Sequence, residues 1–352
     1  MEKKLGKKSY KEMMNQDQAW NGVLADNKDY RRVANKIREE NIKNVIFIGC
    51  GSSYYISLSA AAVFSGLTGI AGRAVPASEL IFFPDSYLTE DSNLVVAISR
   101  SGESTEVVKA VTEVNKRSDV CTLAISCYED SKLVQEGQHV LLASQGKEES
   151  VVMTRSFTSL LLGMQLFSAL WVDNGEYINK LERLPGLFRN RIDKWEPKVE
   201  RAVEKNSFEK YQFLGQGNLY GIANEAMLKM KEMALVPSED FHSLEFRHGP
   251  KSTVDNNSLI TMYMGQDTYK MEKRLVKEII NYGGRMLIIC EQADEELKKM
   301  DQQIFELKSG LDQFVLAPLY LVVSQLYAYF TAIKKDINVD NPRNLTQVVE
   351  II

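Results

Sequence analysis

The chain has 352 residues, of which 44% are hydrophobic and 26% charged, with a net charge of -4. That length accommodates two domains of ordinary size, and the composition is globular. The slight acidity leaves no electrostatic footprint for nucleic acid.

Residues 1–40 are polar, rich in charge and compatible with helix, and the segment 1–32 reads as an N-terminal helical piece. Its start, Met1-Glu2-Lys3-Lys4-Leu5, lacks the apolar stretch of a signal peptide. Asn44-Val45-Ile46-Phe47-Ile48 then predicts a strand, Gly49-Cys50-Gly51-Ser52-Ser53 a tight turn, and 54–66 a helix. Strand-like runs follow at 71–75, 94–98 and 121–126, with a helical pattern over 104–116 and a long apolar helix from Phe157 to Val172. Such alternation predicts a parallel sheet with helices on both faces. The first domain is thus expected over 33–172.

After a connecting segment at 173–199, the pattern starts again. Phe47-Ile48-Gly49-Cys50-Gly51 is answered by Phe213-Leu214-Gly215-Gln216-Gly217, and Leu94–Ile98 by Leu259–Tyr263. Two tandem copies of one doubly wound α/β unit are the simplest account, with the second over 200–335 and a tail over 336–352. The longest apolar run, Phe314 to Ile333, is interrupted by Pro318, Ser324 and Gln325, and reads as a buried helix rather than a membrane span. Cys50, Cys121, Cys127 and Cys290 fit no zinc spacing. Buried free thiols in a reduced, cytoplasmic setting are expected, with no membrane or nucleic-acid partner.

The chemistry-bearing segments are few. Ser99-Arg100-Ser101-Gly102-Glu103-Ser104-Thr105 joins the 94–98 strand to the next helix. Hydroxyls and a glycine at a helix N-terminus suit a phosphate, because backbone N–H groups there are unspent and the helix dipole favours an anion. An ordinary serine-rich helix cap explains the segment equally well. The second copy has Met264 and Gln266 at this place, so one phosphate site per chain is expected.

Gly49-x-Gly51 invites a dinucleotide reading. The third glycine of that fingerprint is replaced by Tyr54, and by Tyr220 in the second copy. No phosphate-loop motif Gly-x-x-x-x-Gly-Lys-Ser/Thr exists either, so no cofactor is expected.

Glu225, Lys229 and Glu232 fall on one face of a helical segment. Spacing alone favours a solvated face with a Glu–Lys pair over a catalytic row. His248, in Glu245-Phe246-Arg247-His248-Gly249-Pro250, lies in a turn that suits an acid/base role or a surface histidine. A metal held by Glu245 and His248 lacks further ligands, and none is expected.

Together these segments resemble the sugar isomerase (SIS) domain family over roughly residues 33–350. The likeness rests on Gly49–Ser53, Ser99–Ser104, the Glu232 helix with Glu245-x-x-His248-Gly249-Pro250, and the tail Asp340-Asn341-Pro342-Arg343-Asn344-Leu345. It is strongest toward the isomerase half of glucosamine-6-phosphate synthase, the amino-sugar-phosphate deaminases and the fructosamine-6-phosphate deglycases.

The resemblance implies two tandem flavodoxin-like SIS domains. It implies that Ser53, Ser99, Ser101 and Ser104, with the backbone of Arg100, hold a sugar phosphate. Cys50, Gly51, Ser52 and Val151 would line the sugar, and Glu225 and Lys229 would flank it. Glu232 would move a proton between C1 and C2. His248 would assist ring opening in the site of a neighbouring subunit of a homodimer.

Two departures shape the expected function. Where the synthase has a tail lysine that forms an imine with the sugar, this chain has Gln347. No glutaminase domain precedes residue 40, and no N-terminal cysteine nucleophile is present. The expectation is an amino-sugar-6-phosphate deaminase acting by isomerase-type proton transfer. A fructosamine-6-phosphate deglycase and a non-catalytic phosphosugar-binding regulator are the alternatives.

Overall fold

The computed structural model describes residues 5–347. The chain opens with α1 (Lys7–Met14), α2 (Gln16–Ala25) and α3 (Asn27–Arg38). There follow β1 (Asn44–Gly49), α4 (Ser52–Thr68), β2 (Gly72–Pro76), α5 (Ala77–Phe82), β3 (Asn93–Ile98), α6 (Thr105–Val114), β4 (Val120–Ser126), α7 (Lys132–Glu136), β5 (His139–Leu142) and α8 (Arg155–Trp171). The segment expected to connect the domains folds as α9 (Gly175–Leu181) and α10 (Leu184–Lys205). The second half comprises β6 (Lys210–Gly215), α11 (Asn218–Ala234), β7 (Ser238–His242), β8 (Ser258–Met264), α12 (Tyr269–Asn281), β9 (Arg285–Cys290), α13 (Glu295–Lys298), β10 (Gln303–Glu306) and α14 (Gln313–Lys334).

Two compact units result. The amino-terminal unit is Met14–Gly186 with the chain from Asn344 onward; the carboxy-terminal unit is Leu187–Arg343 with the chain up to Met13. Each contains one five-stranded sheet, ordered β2-β1-β3-β4-β5 in the first and β7-β6-β8-β9-β10 in the second. Every neighbouring pair in both sheets is parallel. The order reverses beside β1 and again beside β6, the place where doubly wound sheets open a crevice at their strand C-termini.

The internal repeat is visible in the backbone. β1 and β6 have the same length, as do α4 and α11, and each pair is offset by 166 residues at both ends. The connecting glycines match too: Gly51 has φ 54° and ψ -126°, and Gly217 has φ 59° and ψ -129°. That region is strained for residues with a Cβ and favours glycine. Gly49 is required for a different reason, since a Cβ there would lie 2.4 Å from the Ser53 backbone carbon. The helix starts at Ser52 rather than at 54 because the Cys50 carbonyl accepts a hydrogen bond from Ser53 N, which makes these serines the first turn.

The cores follow from the apolar strands. β1, β3, β4 and β8 are buried along their whole lengths, as parallel strands covered on both faces should be. The apolar run 314–333 is the body of α14. That helix is long and apolar enough to cross a membrane, but 94% of its apolar window is buried in the protein. Its unit also holds α1 through the tail, where Asp340 accepts hydrogen bonds from Lys8 N, Ser9 N and Ser9 Oγ at 2.8–2.9 Å.

Candidate functional site

In the amino-terminal unit, the turn after β3 is built from its own hydroxyls. Ser99 Oγ accepts a hydrogen bond from Gly102 N at 3.1 Å and lies 3.3 Å from Ser104 Oγ. Ser101 Oγ accepts from Glu103 N at 3.1 Å. Gly102 has φ +67°, and a Cβ there would lie 2.0 Å from Ser131 Oγ, so only glycine fits.

Ser104 is the N-cap residue of α6, yet its side chain does not cap the helix. The plain helix-cap reading of this segment therefore fails for Ser104. Its hydroxyl stands beside Ser99 at the helix N-terminus.

Ser52 and Ser53 are both buried in the first turn of α4, on the neighbouring strand-to-helix junction. Cys50 is half-buried rather than buried as expected, because it sits in the turn beyond the end of β1. Burial first, then Glu106, pushes its thiol up to about 12 against a hydrogen bond to the Ala77 backbone. Cys50 is therefore a neutral thiol at physiological pH and not a nucleophile.

Arg100, in the same turn, is anchored through its side chain. Its buried guanidinium donates to Val151 O at 2.8 Å, Ser150 O at 3.4 Å and Gln347 O at 3.4 Å, and lies 3.5 Å from Glu148 Oε2. Arg100 thus ties together the serine turn, Val151 and the tail residue Gln347, whose side chain is exposed. Sequence reasoning missed Glu148. Its carboxylate accepts from Thr154 N and Oγ1 at 2.7 Å, from Ser156 N at 3.2 Å and from Ser156 Oγ, so it closes the N-terminus of α8.

In the carboxy-terminal unit, the equivalent turn after β8 is filled by the chain itself. Gly265 N donates to Glu272 Oε2 at 3.0 Å, and Gln266 N to Gln313 Oε1 at 2.8 Å. The donors that a phosphate would need are spent on internal acceptors.

The row on α11 corrects the spacing argument. Glu225 and Lys229 are not on a solvated face: both side chains are 0% exposed, and Glu232 is 18% exposed. Lys229 Nζ lies 2.9 Å from Glu225 Oε1 and 2.5 Å from Glu232 Oε2. Burial alone would push the ammonium down, but the two carboxylates outweigh it and hold Lys229 above its ordinary value. The row therefore carries one cation and two carboxylates, and Glu232 is the member that meets solvent. A carboxylate fixed by Lys229 and partly open to solvent is placed where it could accept a proton from carbon.

His248 follows a short 3-10 turn, Glu245–Arg247, and its N–H donates to Glu245 O at 2.9 Å. Its side chain is exposed. Among the described residues, neither Glu245 nor His248 belongs to a grouping of three or more candidate metal ligands. Sequence reasoning also missed His242, at the end of β7, which stacks on Tyr220 with ring centroids 3.7 Å apart. Burial lowers its pKa, against Glu245 and Asp240.

The chain is 27% identical over 311 residues to a glutamine–fructose-6-phosphate aminotransferase (isomerizing) of Methanothermobacter thermautotrophicus, covering 88% of this chain and 52% of the relative. It spans about half the length of the curated relatives it matches. Among solved structures, a glucosamine-6-phosphate deaminase of Thermotoga maritima superposes with a TM-score of 0.75 at 28% identity, covering 97% of this chain and 99% of that one. The C-terminal domain of glucosamine-fructose-6-phosphate aminotransferase from Francisella tularensis superposes with a TM-score of 0.85 at 24% identity, covering 97% and 100%. Residues 37–169 and 207–335 each match the model of the SIS domain, and the chain belongs to the SIS domain family.

Proposed function

We propose that this chain is a phosphosugar isomerase-type enzyme that deaminates an amino-sugar 6-phosphate. The observation that carries this reading is the charge row on α11, which ends in the partly exposed Glu232. Burying the Glu225–Lys229 pair is costly, and the row it forms holds the carboxylate of Glu232 at the edge of solvent. The similarity in sequence and fold to a structure named as a glucosamine-6-phosphate deaminase supports the same substrate class.

In the amino-terminal unit, the reading assigns the phosphate to Ser53, Ser99, Ser101, Ser104 and the Arg100 backbone. It assigns the sugar to Cys50, Gly51, Ser52 and Val151, with Gln347 in the tail. A phosphate held remotely supplies binding energy that positions the reacting carbons. In the carboxy-terminal unit it assigns proton transfer to Glu232, with Glu225 and Lys229 flanking it.

The chemistry runs through the open-chain sugar. Glu232 takes the proton from C2 and returns one to C1, which converts the C2 amine into a ketimine. Water adds to that imine, and ammonia leaves to give a ketose 6-phosphate. Gln347 forms no imine with the sugar, so ring opening rests on His248 or another group, or the substrate arrives already open. His248 is exposed on its turn, which suits a role toward a second copy of the chain.

The test of the base is Glu232→Gln. The reading predicts a loss of turnover of roughly a hundredfold or more with substrate binding kept within a few-fold. Full activity in this variant would remove Glu232 from the reaction. Mixing Glu232→Gln with His248→Ala protein tests the second copy's part: recovered activity supports shared sites, and none, with subunit exchange verified, opposes them.

A further inference from the structure

One cluster lies outside everything assigned so far. Glu40, Cys121 and His139 bring one carboxylate oxygen, one sulfur and one ring nitrogen within 4.8 Å of one another. Topology explains how. Leu123 of β4 faces His139 of β5 in register, and Cys121 lies two residues before Leu123. Directly opposed residues share a face, as do residues i and i+2, so Cys121 and His139 point to the same side.

Glu40 follows α3, with its Oε1 3.5 Å from His139 Nε2. The strand ends are also locked to each other. Thr122 N donates to Gln138 Oε1, and Gln138 N donates to Thr122 Oγ1, both at 3.1 Å. These bonds fix the neighbours of Cys121 and His139 before any ligand arrives.

We propose that Glu40, Cys121 and His139 form a binding site for a zinc-type divalent cation. Thiolate, imidazole and carboxylate together suit zinc rather than magnesium or calcium, which prefer oxygen. Three protein ligands leave a fourth tetrahedral position for water. Ligands around tetrahedral zinc stand about 3.5 Å apart, so the present spacing needs only a small contraction. Glu40 is 46% exposed and free to supply that movement, while Cys121 is 3% and His139 17% exposed. Binding releases the Cys121 thiol proton to solvent.

The site stands at the N-terminal ends of β4 and β5, whereas the Gly51 and Ser99–Ser104 turns stand at C-terminal strand ends of the same sheet. Its role is therefore to fasten the end of α3 to the sheet edge, not to take part in the sugar chemistry.

The experiment titrates the full-length protein with Co²⁺, whose bond to a thiolate gives a near-ultraviolet charge-transfer band, and then displaces it with Zn²⁺. The proposal predicts one saturable Co²⁺ per chain, a band abolished by Cys121→Ser, and zinc affinity reduced more than about tenfold by His139→Ala. Cys290→Ala should leave both unchanged. Zn²⁺ should also raise the melting temperature of the wild type but not of Cys121→Ser, with turnover unaffected. No saturable binding, or a band that survives Cys121→Ser, would overturn the proposal, and a simple hydrogen-bonded trio would remain.

Discussion

Lys229 carries its ammonium 2.9 Å from Glu225 Oε1, and neither side chain reaches solvent. A buried ion whose partner is removed stays charged without compensation. Lys229→Met should therefore destabilise the protein by about 3–5 kcal/mol in chemical denaturation. Adding Glu225→Leu to that variant removes the stranded charge and should return much of the loss. If Lys229→Met alone unfolds like the wild type, the pair is not buried as described.

The two glycines before α4 separate strain from collision. Gly51→Ala meets no atom within 4 Å and incurs only the positive-φ strain, about 1–3 kcal/mol. Gly49→Ala drives a methyl into the Ser53 backbone, which cannot rotate away. Gly49→Ala should be the more damaging of the two by melting temperature. Equal losses would contradict the close approach at Gly49.

Ser99 and Ser104 should differ when replaced by alanine. Ser99 accepts a bond from Gly102 N inside the turn, so Ser99→Ala lowers both stability and phosphate-ester binding. Ser104 caps nothing. Ser104→Ala should leave stability within about 0.5 kcal/mol. It should weaken binding of a sugar phosphate roughly tenfold to a hundredfold by calorimetry. Unchanged binding in Ser104→Ala would take the phosphate away from this turn.

Glu272 gives a pH dependence of known sign. Burial raises its pKa in the folded protein, against hydrogen bonds from Thr268, Ser243 and the Gly265 N–H. The folded state therefore holds this proton to higher pH than the unfolded chain does. Its contribution to stability is full at acidic pH and declines as pH rises from the ordinary carboxylate range through the raised value. In Glu272→Gln that decline should vanish, so the variant gains on the wild type as pH increases. Parallel stability profiles for the two proteins between pH 4 and 8 would refute this.

Much of the fold is legible in the sequence because glycine and apolar runs have few alternative meanings. Phe47–Gly51 and Phe213–Gly217 carry the same strand-to-helix junction, and the backbone repeats it with matching dihedrals. The burial of Glu225 and Lys229 was not legible. Charges at i and i+4 look alike whether water or protein lies outside them. What decides is the rest of α11, where Ile222, Ala223, Ala226, Met227, Met230 and Met233 leave the helix buried nearly all round. Glu148 was out of reach for another reason: it closes the N-terminus of α8 from several residues upstream, through a loop with no periodic pattern. Glu272 filling the second turn likewise depends on a tertiary bond to Gly265.

The central claim is best tested by a time course of the purified wild-type protein with glucosamine 6-phosphate and a panel of other 6-phosphorylated amino sugars and fructosamines, followed by NMR. The account predicts a ketose 6-phosphate and ammonia, formed in equal amounts from an amino-sugar phosphate. Release of an amino acid from a fructosamine instead would make the chain a deglycase. Tight binding of the panel with no product at all would contradict the enzymatic account and leave a phosphosugar-binding protein.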